Sequence, residues 1–326
     1  MMDETKIMLS VVVCSYNRSF LIKETLVSIF EQATNFTMEI IVSDDCSTDN
    51  TIQILEELRE EHPTLRINVT PENYGLGGNW ASAMKLVRGK YVAFLDDDDL
   101  WTDENRMQNM VSYLEEHPSI DIVYTDGYYF QKDMMKGRNI IWPRDRFPEL
   151  HKIWRGEQPC ISLDMMVVRT ATLNKCICYD DYIRLRFPIQ DWCTNVLLLF
   201  HKARFTFLDY PSVAVRQTAR SLSRTVDYDK IVHKAQQEAV MNCYIDQLIT
   251  GDNTISYGID EQRMYQSLTN AAYQSGDWKR AKEFSTLSGG KTLRNRCSKT
   301  WVTFSLYRLF RAIRRNVSCQ ISHRNS

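Results

Sequence analysis

Apolar runs alternate with segments of helical periodicity along the first hundred residues. Each apolar run is rich in β-branched residues and ends in polar ones, which predicts a buried strand. These runs are MLSVVVC, MEIIVSDD, LRINVTPE and KYVAFL. The segments between them repeat apolar residues at helical spacing, and NYGLGG before the third helix is predicted as a turn. Continuous apolar strands are typical of parallel sheets covered on both faces, so the pattern predicts an open α/β fold.

The pattern changes near Val226, after which helical spacing predominates. The stretches DYDKIVHKAQQEAVMNCYIDQLI and MYQSLTNAAYQSGDWKRAKEFSTL predict helices, with SGD and SGG as breaks. A chain of 326 residues accommodates two domains of ordinary size. We therefore predict an α/β domain over residues 1–225 and a helical region over 226–326.

Composition narrows the classes of function. The chain has 40 Lys and Arg against 41 Asp and Glu, a balance that gives no support to nucleic-acid binding. Nine cysteines without a CxxC pair fit a reducing compartment better than a disulfide framework. The N-terminus shows no apolar signal segment, and the run VLLLF is far too short to span a membrane. These features favour a cytoplasmic protein, soluble or bound at a membrane surface.

Three polar stretches follow predicted strands, and ligands of open α/β sheets bind at this edge. They are CSYNR (14–18), SDDCSTDN (43–50) and DDDD (96–99). Taken singly, each has a purely structural explanation, as a turn, a helix cap or a solvated acidic loop. Taken together, they indicate one crevice that binds a ligand.

The four consecutive carboxylates indicate that a positive charge is missing from this crevice. Adjacent carboxylates repel one another, and an unpaired buried carboxylate is costly. A divalent cation such as Mg²⁺ or Mn²⁺ takes carboxylate oxygens and leaves other positions to phosphates and water. A carboxylate after the second strand would accept hydrogen bonds from a nucleobase or ribose. A nucleoside diphosphate with its cation accounts for all three stretches.

Four segments, in this order and spacing, resemble glycosyltransferase family 2. They are SVVVCSYNR, EIIVSDDCSTDNT, ENYGLGGNWASAM and GKYVAFLDDDDLW, and the resemblance extends over about residues 8–225. It implies a GT-A fold, with an open, mostly parallel sheet flanked by helices. It also implies inverting transfer of a sugar from a nucleotide sugar, with UDP favoured, to a hydroxyl of a glycan or lipid-linked glycan. The implied setting is polysaccharide synthesis at the cell envelope.

The resemblance also assigns roles to individual residues. It implies that the first loop and the carboxylate after the second strand contact the base, and that the acidic run contacts ribose and the metal-bound diphosphate. In VAVRQTARSLS, Arg216, Ser221 and Ser223 match the family pattern. Arg216 or Arg220 is a candidate for stabilising the leaving diphosphate, as a cation in place of the family's histidine. The implied nucleotide-sugar contacts are Cys14, Tyr16, Asp45, Asn79, Asp96, Asp97 and Arg216. Asp98 is implied as the ligand of Mn²⁺ or Mg²⁺, and Asp191 of FPIQDWCTNVLLLF as the general base.

The residues around Asp191 support that role without the resemblance. Phe187, Ile189 and Trp192 would desolvate its carboxylate and raise its pKa toward the range of a useful base. The structural alternative is a carboxylate at a helix N-terminus.

Three departures from the family pattern leave alternatives open. Cys14-Ser15 replaces Pro-Thr, Gln190 replaces a glutamate, and Thr218 stands where histidine is usual. The alternatives are a non-catalytic sugar-nucleotide-binding module and a nucleotidyltransferase of the same fold. A dinucleotide-dependent oxidoreductase is disfavoured, because no GxGxxG follows the first strand.

The C-terminal tail has no acidic residue after Glu283. Residues 299–317 segregate apolar and arginine side chains onto opposite helical faces, which is typical of binding to an anionic membrane surface. Packing on the catalytic domain is the alternative.

Overall fold

The computed structural model describes residues 7–131, 134–135, 148–154, 157–217, 227–254 and 260–288. Strands form where the apolar runs predicted them and continue beyond residue 100. The strands are β1 Leu9–Ser15, β2 Met38–Asp44, β3 Leu65–Val69, β4 Tyr91–Asp96, β5 Leu100–Trp101, β6 Ile122–Gln131, β7 Met134–Met135, β8 Met166–Arg169 and β9 Phe205–Arg216.

Amphipathic segments between the strands form helices with one apolar face on the sheet. The helices are α1 Ile22–Phe30, α2 Thr51–Glu61, α3 Gly75–Met84, α4 Arg106–Glu116, α5 Leu150–Trp154, α6 Thr170–Cys176, α7 Tyr179–Arg184, α8 Asp191–Phe200, α9 Tyr228–Thr250, α10 Glu261–Ser275 and α11 Trp278–Leu287. A 3₁₀ turn, Leu163–Met165, precedes β8.

The strands form one open mixed sheet in the order β3-β2-β1-β4-β8-β6-β9-β5, with β7 paired to β6. The four strands predicted from the first hundred residues pair in parallel, and so do β6 and β9. Strand β8 runs antiparallel to both β4 and β6, and β5 runs antiparallel to β9. The predicted α/β fold, with helices flanking an open and mostly parallel sheet, is confirmed.

The core lies between the sheet and its helices. All residues of β1, β2 and β4 are buried except Cys14, Met38 and Asp96, as the continuous apolar runs require. The carboxyl ends of β1, β2 and β4 lie side by side, because Cys14 pairs with both Ser43 and Asp96 in the register. The polar stretches that follow these strands therefore meet at one edge.

The prediction of NYGLGG as a turn is wrong for its last four residues, because helix α3 already begins at Gly75. Close packing explains the glycines here. A Cβ on Gly77 would lie 2.5 Å from the Phe187 carbonyl oxygen, and one on Gly78 would lie 2.8 Å from Tyr74 Cβ. Only glycine allows the helix this approach.

The chain divides into two compact units, Met1–Ala219 with Val240–Ser256 and Arg220–Ala239 with Tyr257–Ser326. The sheet and helices α1 to α8 belong to the first unit, and Met241 and Ile245 of α9 are buried in its core. The second unit has a small core of its own around Ile231, Leu268 and Ala271. The predicted boundary at 225/226 stays a prediction. Within the described ranges, no helix is long and apolar enough to cross a membrane.

Candidate active site

The loop after β1 is fastened to the loop after β2 by side-chain hydrogen bonds. Asn17, with φ of 54°, accepts bonds at its side-chain oxygen from the Thr48 and Asp49 backbone N–H groups. Its own N–H donates to Ser47 Oγ, and the Ser47 hydroxyl donates to Asp44. The Asn17 and Ser47 side chains therefore hold the two loops together.

Asp45 directly follows β2 and is 3% exposed. Its carboxylate accepts bonds from the Tyr74 and Gly75 N–H groups, at 2.7 and 2.8 Å, and from the Thr70 hydroxyl at 3.1 Å. Burial raises its pKa, although these donors act in the opposite direction. Asp45 thus anchors the start of α3 beside the opening of the first loop.

Asn79 lies inside α3 and is 2% exposed. Its amide donates to the Ser43 carbonyl at 2.8 Å and to the Ser15 carbonyl at 3.5 Å, and its oxygen accepts from the Ser43 hydroxyl. These bonds join the ends of β1 and β2. The geometry accounts for Asn79 as a residue that positions the loops, and its predicted contact with nucleotide stays a prediction.

Tyr16 follows β1 with its side chain 46% exposed, while its backbone N–H donates to Asp97 Oδ2 at 3.3 Å. Cys14 lies two residues earlier, in β1, where it is half-buried and pairs with Asp96 in the sheet register. Both predicted base-contacting residues therefore adjoin the acidic run. The Tyr16 ring is accessible to an aromatic ligand.

The acidic run has a cation that sequence reasoning missed. Arg18 Nε lies 2.8 Å from Asp97 Oδ1, and Arg18 Nη2 lies 3.5 Å from Asp98 Oδ2. Burial raises the pKa of Asp97 to about 6 in spite of this guanidinium. Part of the positive charge that the four carboxylates require therefore comes from the first loop.

Arg216, at the end of β9, holds the other side of the run. Its N–H donates to Asp99 Oδ1 and its Nε donates to the Asp98 carbonyl, both at 2.7 Å. The guanidinium also pairs with Glu24 at 2.7 Å and lies over the Phe130 ring, 4.5 Å from the ring centroid. Arg216 is thus at the acidic run, as predicted, with its guanidinium already engaged.

Asp164 is a further carboxylate of the site, and it was not predicted from the sequence. It lies in the 3₁₀ turn Leu163–Met165, directly before β8, and β8 pairs antiparallel with β4, the strand that ends at Asp96. Like charges that are close together and buried are destabilising. The Asp164 carboxyl is 4% exposed, and one carboxylate oxygen from each of Asp96, Asp99 and Asp164 lies within 4.8 Å of the other two.

A fully buried arginine fixes the turn that carries Asp164. The Arg106 guanidinium donates to the Asp164 carbonyl at 2.9 Å and to the Thr125 hydroxyl, and it also contacts Ser212. Burial lowers the pKa of Arg106 to about 10. The same 3₁₀ turn presents the Leu163 N–H, which donates to Asp191 Oδ1 at 3.4 Å.

Asp191 is the first residue of α8 and is turned toward this cluster. Burial, and then the charge of Asp96, raise the pKa of Asp191 to about 7. Asn195, one turn later, donates to both the Asp191 and Ile161 carbonyls, which fixes the start of α8 against the 3₁₀ turn. A carboxylate with this pKa exchanges protons near neutral pH, as a general base requires.

Mutual repulsion among the carboxylates defines the electrostatics of the site. The charge of Asp164, and then burial, raise the pKa of Asp96, and burial and then Asp164 raise that of Asp99. Burial and the charge of Asp191 raise the pKa of Asp164 to about 7. A divalent cation relieves such repulsion, and these oxygen donors suit Mg²⁺ or Mn²⁺. Asp98, the predicted metal ligand, adjoins this group and is paired with Arg18.

The structure therefore brings most predicted site residues to one edge of the sheet. Sequence reasoning missed Arg18, Asp99 as the anchor of Arg216, and Asp164. An isolated aspartate inside the apolar stretch ISLDMMVV was the available signal for Asp164. Gln190, in place of the family's glutamate, is 6% exposed, and no partner for its Oε1 occurs among the described residues. Thr218, Arg220, Ser221 and Ser223 lie outside the described residues.

Fold and site together define a glycosyltransferase of the GT-A type: a mixed α/β sheet with an acidic cluster beyond the ends of its parallel strands. The model of Glycosyl transferase family 2 matches residues 10–176. The chain belongs to this family.

Sequence relatives include cell-envelope enzymes. UDP-Glc:alpha-D-GlcNAc-diphosphoundecaprenol beta-1,3-glucosyltransferase WfaP of Escherichia coli is 32% identical over 133 residues, 39% of this chain and 49% of that protein. Poly(ribitol-phosphate) beta-N-acetylglucosaminyltransferase TarS of Staphylococcus aureus is 35% identical over 142 residues, 43% of this chain and 23% of that protein. An uncharacterized protein of Mycobacterium tuberculosis is 30% identical over 195 residues, 58% of this chain. The chain spans about half the length of this mycobacterial protein, 53%.

Solved structures share the fold. S. aureus TarS 1–349 in complex with UDP-GlcNAc has a TM-score of 0.53 at 20% identity, covering 88% of this chain and 92% of that one. A mannosyltransferase of Pyrobaculum calidifontis in complex with GDP-Man and Mn²⁺ has a TM-score of 0.53 at 19% identity, covering 95% and 88%.

Proposed function

We propose that this glycosyltransferase moves a hexosyl or N-acetylhexosaminyl group from a UDP-sugar to a hydroxyl of a glycan or lipid-linked glycan, with inversion at the anomeric carbon. The observation that carries the proposal is the convergence of the first loop, the acidic run and a carboxylate of pKa about 7 at one edge of the sheet. The first two features suit a nucleoside diphosphate, and the third suits activation of a hydroxyl.

In this proposal the loops bind the donor. The half-exposed Tyr16 ring stacks on the base, and Cys14 and Asp45 form the wall beside it. Asp96 and Asp97 contact ribose. Arg216 stabilises the diphosphate as negative charge develops on it, because a fixed cation acts most strongly where charge appears in the transition state.

The donor set fits a divalent cation. Asp98 would hold Mn²⁺ or Mg²⁺ in this proposal, and Asp96, Asp99 and Asp164, whose carboxylate oxygens lie together, form a second set of oxygen donors beside it. When bound, the cation neutralises charge on the leaving diphosphate.

Asp191 acts as the general base. It takes the proton of the acceptor hydroxyl while that oxygen forms a bond to the anomeric carbon, and the bond from this carbon to the diphosphate oxygen breaks on the opposite face. Inversion follows from this single displacement. Leu163 N–H donates to the carboxylate, and the Asn195 amide holds the backbone of Asp191 through its carbonyl.

The acceptor class is inferred from the relatives. Names such as diphosphoundecaprenol glucosyltransferase and teichuronic acid biosynthesis glycosyltransferase indicate lipid-linked or envelope glycans as their acceptors. We place the protein at the cytoplasmic face of a membrane, with residues 299–317, which lie outside the described residues, as the anionic-surface contact. The catalytic domain is residues 1–225 in this proposal.

A nucleotide-sugar panel tests this function. Purified full-length protein is incubated with UDP-Glc, UDP-GlcNAc or GDP-Man, with Mn²⁺ or with EDTA, and free nucleoside diphosphate is measured. We expect slow metal-dependent hydrolysis of one UDP-sugar. Tight UDP binding without turnover of any donor or acceptor would support a non-catalytic sugar-nucleotide-binding module, to which Gln190 would then point.

A further inference from the structure

Arg18 is held rigidly beside the acidic run. Its backbone N–H donates to the Thr51 hydroxyl at 2.9 Å, and the next residue's N–H donates to Asp49 at 3.1 Å. Asn17, immediately before it, is bonded to the same loop. The backbone of Arg18 is therefore fixed from both sides, and its guanidinium is directed at the carboxylates.

The ion pairs of Arg18 are partly shielded from water. The side chains of Arg18, Asp97 and Asp98 are 18%, 10% and 15% exposed. Reduced solvent contact strengthens such pairs relative to pairs on an open surface. A guanidinium is charged at neutral pH. The guanidinium thus stays charged and compensates the run.

In this position the positive charge of Arg18 opposes the binding of a divalent cation. A divalent ion that binds Asp98 approaches a fixed positive charge only 3.5 Å from that carboxylate. Like charges at this range are repulsive. Once a diphosphate is present, its oxygens offer a new partner to the guanidinium, which forms strong paired bonds with phosphate.

We propose that Arg18 couples divalent-cation binding to nucleotide binding. The inference depends on the proposed function, because it takes Asp98 as the metal ligand. Without nucleotide, Arg18 occupies the carboxylates and keeps cation affinity low. With nucleotide, Arg18 turns to the diphosphate and releases Asp98 to the cation. Cation and nucleotide consequently bind as a cooperative pair.

This coupling is reciprocal and measurable. If UDP raises Mn²⁺ affinity by some factor, Mn²⁺ raises UDP affinity by the same factor. Removing the Arg18 charge tightens binding of Mn²⁺ alone and weakens binding of UDP, so the coupling factor falls. We expect a loss of about 5-fold or more, within the range usual for coupled sites.

The experiment is calorimetry on the full chain with Mn²⁺ alone, UDP alone and UDP with saturating Mn²⁺. The variants are Arg18→Gln, Arg18→Lys and, as a matched control, Arg59→Gln. Arg59 lies on α2, is 50% exposed and pairs with Glu56, so its replacement makes the same charge change away from the site. Thermal melting verifies the fold, and Arg18→Met replaces Arg18→Gln if the latter unfolds.

We expect Arg18→Gln to bind Mn²⁺ alone more tightly and to lose most of the coupling, while Arg18→Lys and Arg59→Gln resemble the wild type. Wild-type coupling in Arg18→Gln would overturn the inference and leave the proposed function intact. Coupling lost equally in Arg18→Lys would also overturn it, because charge would not be the cause. If UDP binding by the wild type is independent of Mn²⁺, the metal-assisted binding of the proposed function and the coupling through Arg18 are both wrong.

Discussion

Replacing Asp191 by asparagine keeps the size of the side chain and removes its basicity. The carboxylate contacts the Leu163 N–H through Oδ1, and an amide oxygen accepts the same bond, so the start of α8 should keep its place. A positioned general base contributes typically about 10²–10⁴-fold in rate. We expect the transfer rate to fall by that factor while the affinity for UDP changes less than about threefold.

The raised pKa of Asp191 gives this prediction a second, quantitative part. Only the deprotonated carboxylate accepts a proton, so kcat/KM should rise with pH and level off above a pKa of about 7. At pH 5, two units below that value, about 1% of the carboxylate is deprotonated, so the rate should be about 100-fold below its plateau. Desolvation is the first cause of the shift, followed by the Asp96 charge.

The assay measures nucleoside diphosphate release with an acceptor glycan from pH 5 to 8.5, for the wild type, Asp191→Asn and Asp180→Asn. Asp180 is an exposed carboxylate of α7 with 81% of its side chain accessible, so it controls for the substitution itself. A pH profile in Asp191→Asn that keeps the wild-type shape, or a rate within tenfold of the wild type, would refute the assignment of the base. Loss of UDP binding in this variant would indicate a structural role instead.

Three further predictions concern stability and localisation. Because the pKa of Asp164 is raised to about 7, the folded state binds its proton more tightly than the unfolded state, so this group costs stability as pH rises from about 4 through 7. Asp164→Asn should therefore raise the melting temperature at pH 8 in metal-free buffer, by about 2–4 °C for each kcal/mol of repulsion removed. An unchanged or lower melting temperature would contradict the repulsion. Asn79→Ala leaves the buried Ser43 and Ser15 carbonyls without their amide donor, so chemical denaturation should show a loss of about 1–3 kcal/mol, whereas a neutral effect would contradict the positioning role. Residues 299–317 should bind anionic vesicles in co-sedimentation, and salt should weaken this binding without abolishing it. If a protein truncated after Lys291 still binds vesicles and melts at a lower temperature, this segment stabilises the fold instead.

Local patterns in the sequence were sufficient for the first half of the sheet. Strands β1 to β4 are continuous apolar runs, and each connects to the next through a helix, so their parallel direction follows from short-range information, whereas the pairing of β1 with β4 does not. The insertion of β8 between β4 and β6, and the return of β9 beside β6, depend on contacts distant in sequence. No local periodicity encodes such pairings.

The same distinction explains which site residues were found. Carboxylates at the ends of β2 and β4 were visible, because strand ends of a parallel sheet share one edge. Asp164 was not, because its 3₁₀ turn is brought to this edge by the antiparallel pairing of β8 with β4, which no local pattern encodes. Arg18 was visible in CSYNR, but its partners Asp97 and Asp98 lie about eighty residues away and are identified only by the fold.

Helix α3 shows how local signals mislead. Three glycines in six residues favour a turn by propensity. In the folded protein Gly77 and Gly78 are required by the approach of Phe187 and Tyr74, and packing of α3 against the sheet and α7 overrides propensity.

Calorimetric titration of UDP with Mn²⁺, for the wild type and Asp98→Ala, tests most directly whether the acidic run binds the donor's diphosphate through a cation. Asp180→Ala serves as the exposed control, and melting temperatures confirm that each variant is folded. The account predicts that EDTA weakens UDP binding by the wild type and that Asp98→Ala loses the metal-assisted part of this binding. The fold of the variant should be intact or stabilised, because one repelling carboxylate is gone. Undiminished Mn²⁺-dependent affinity for UDP in Asp98→Ala would contradict it.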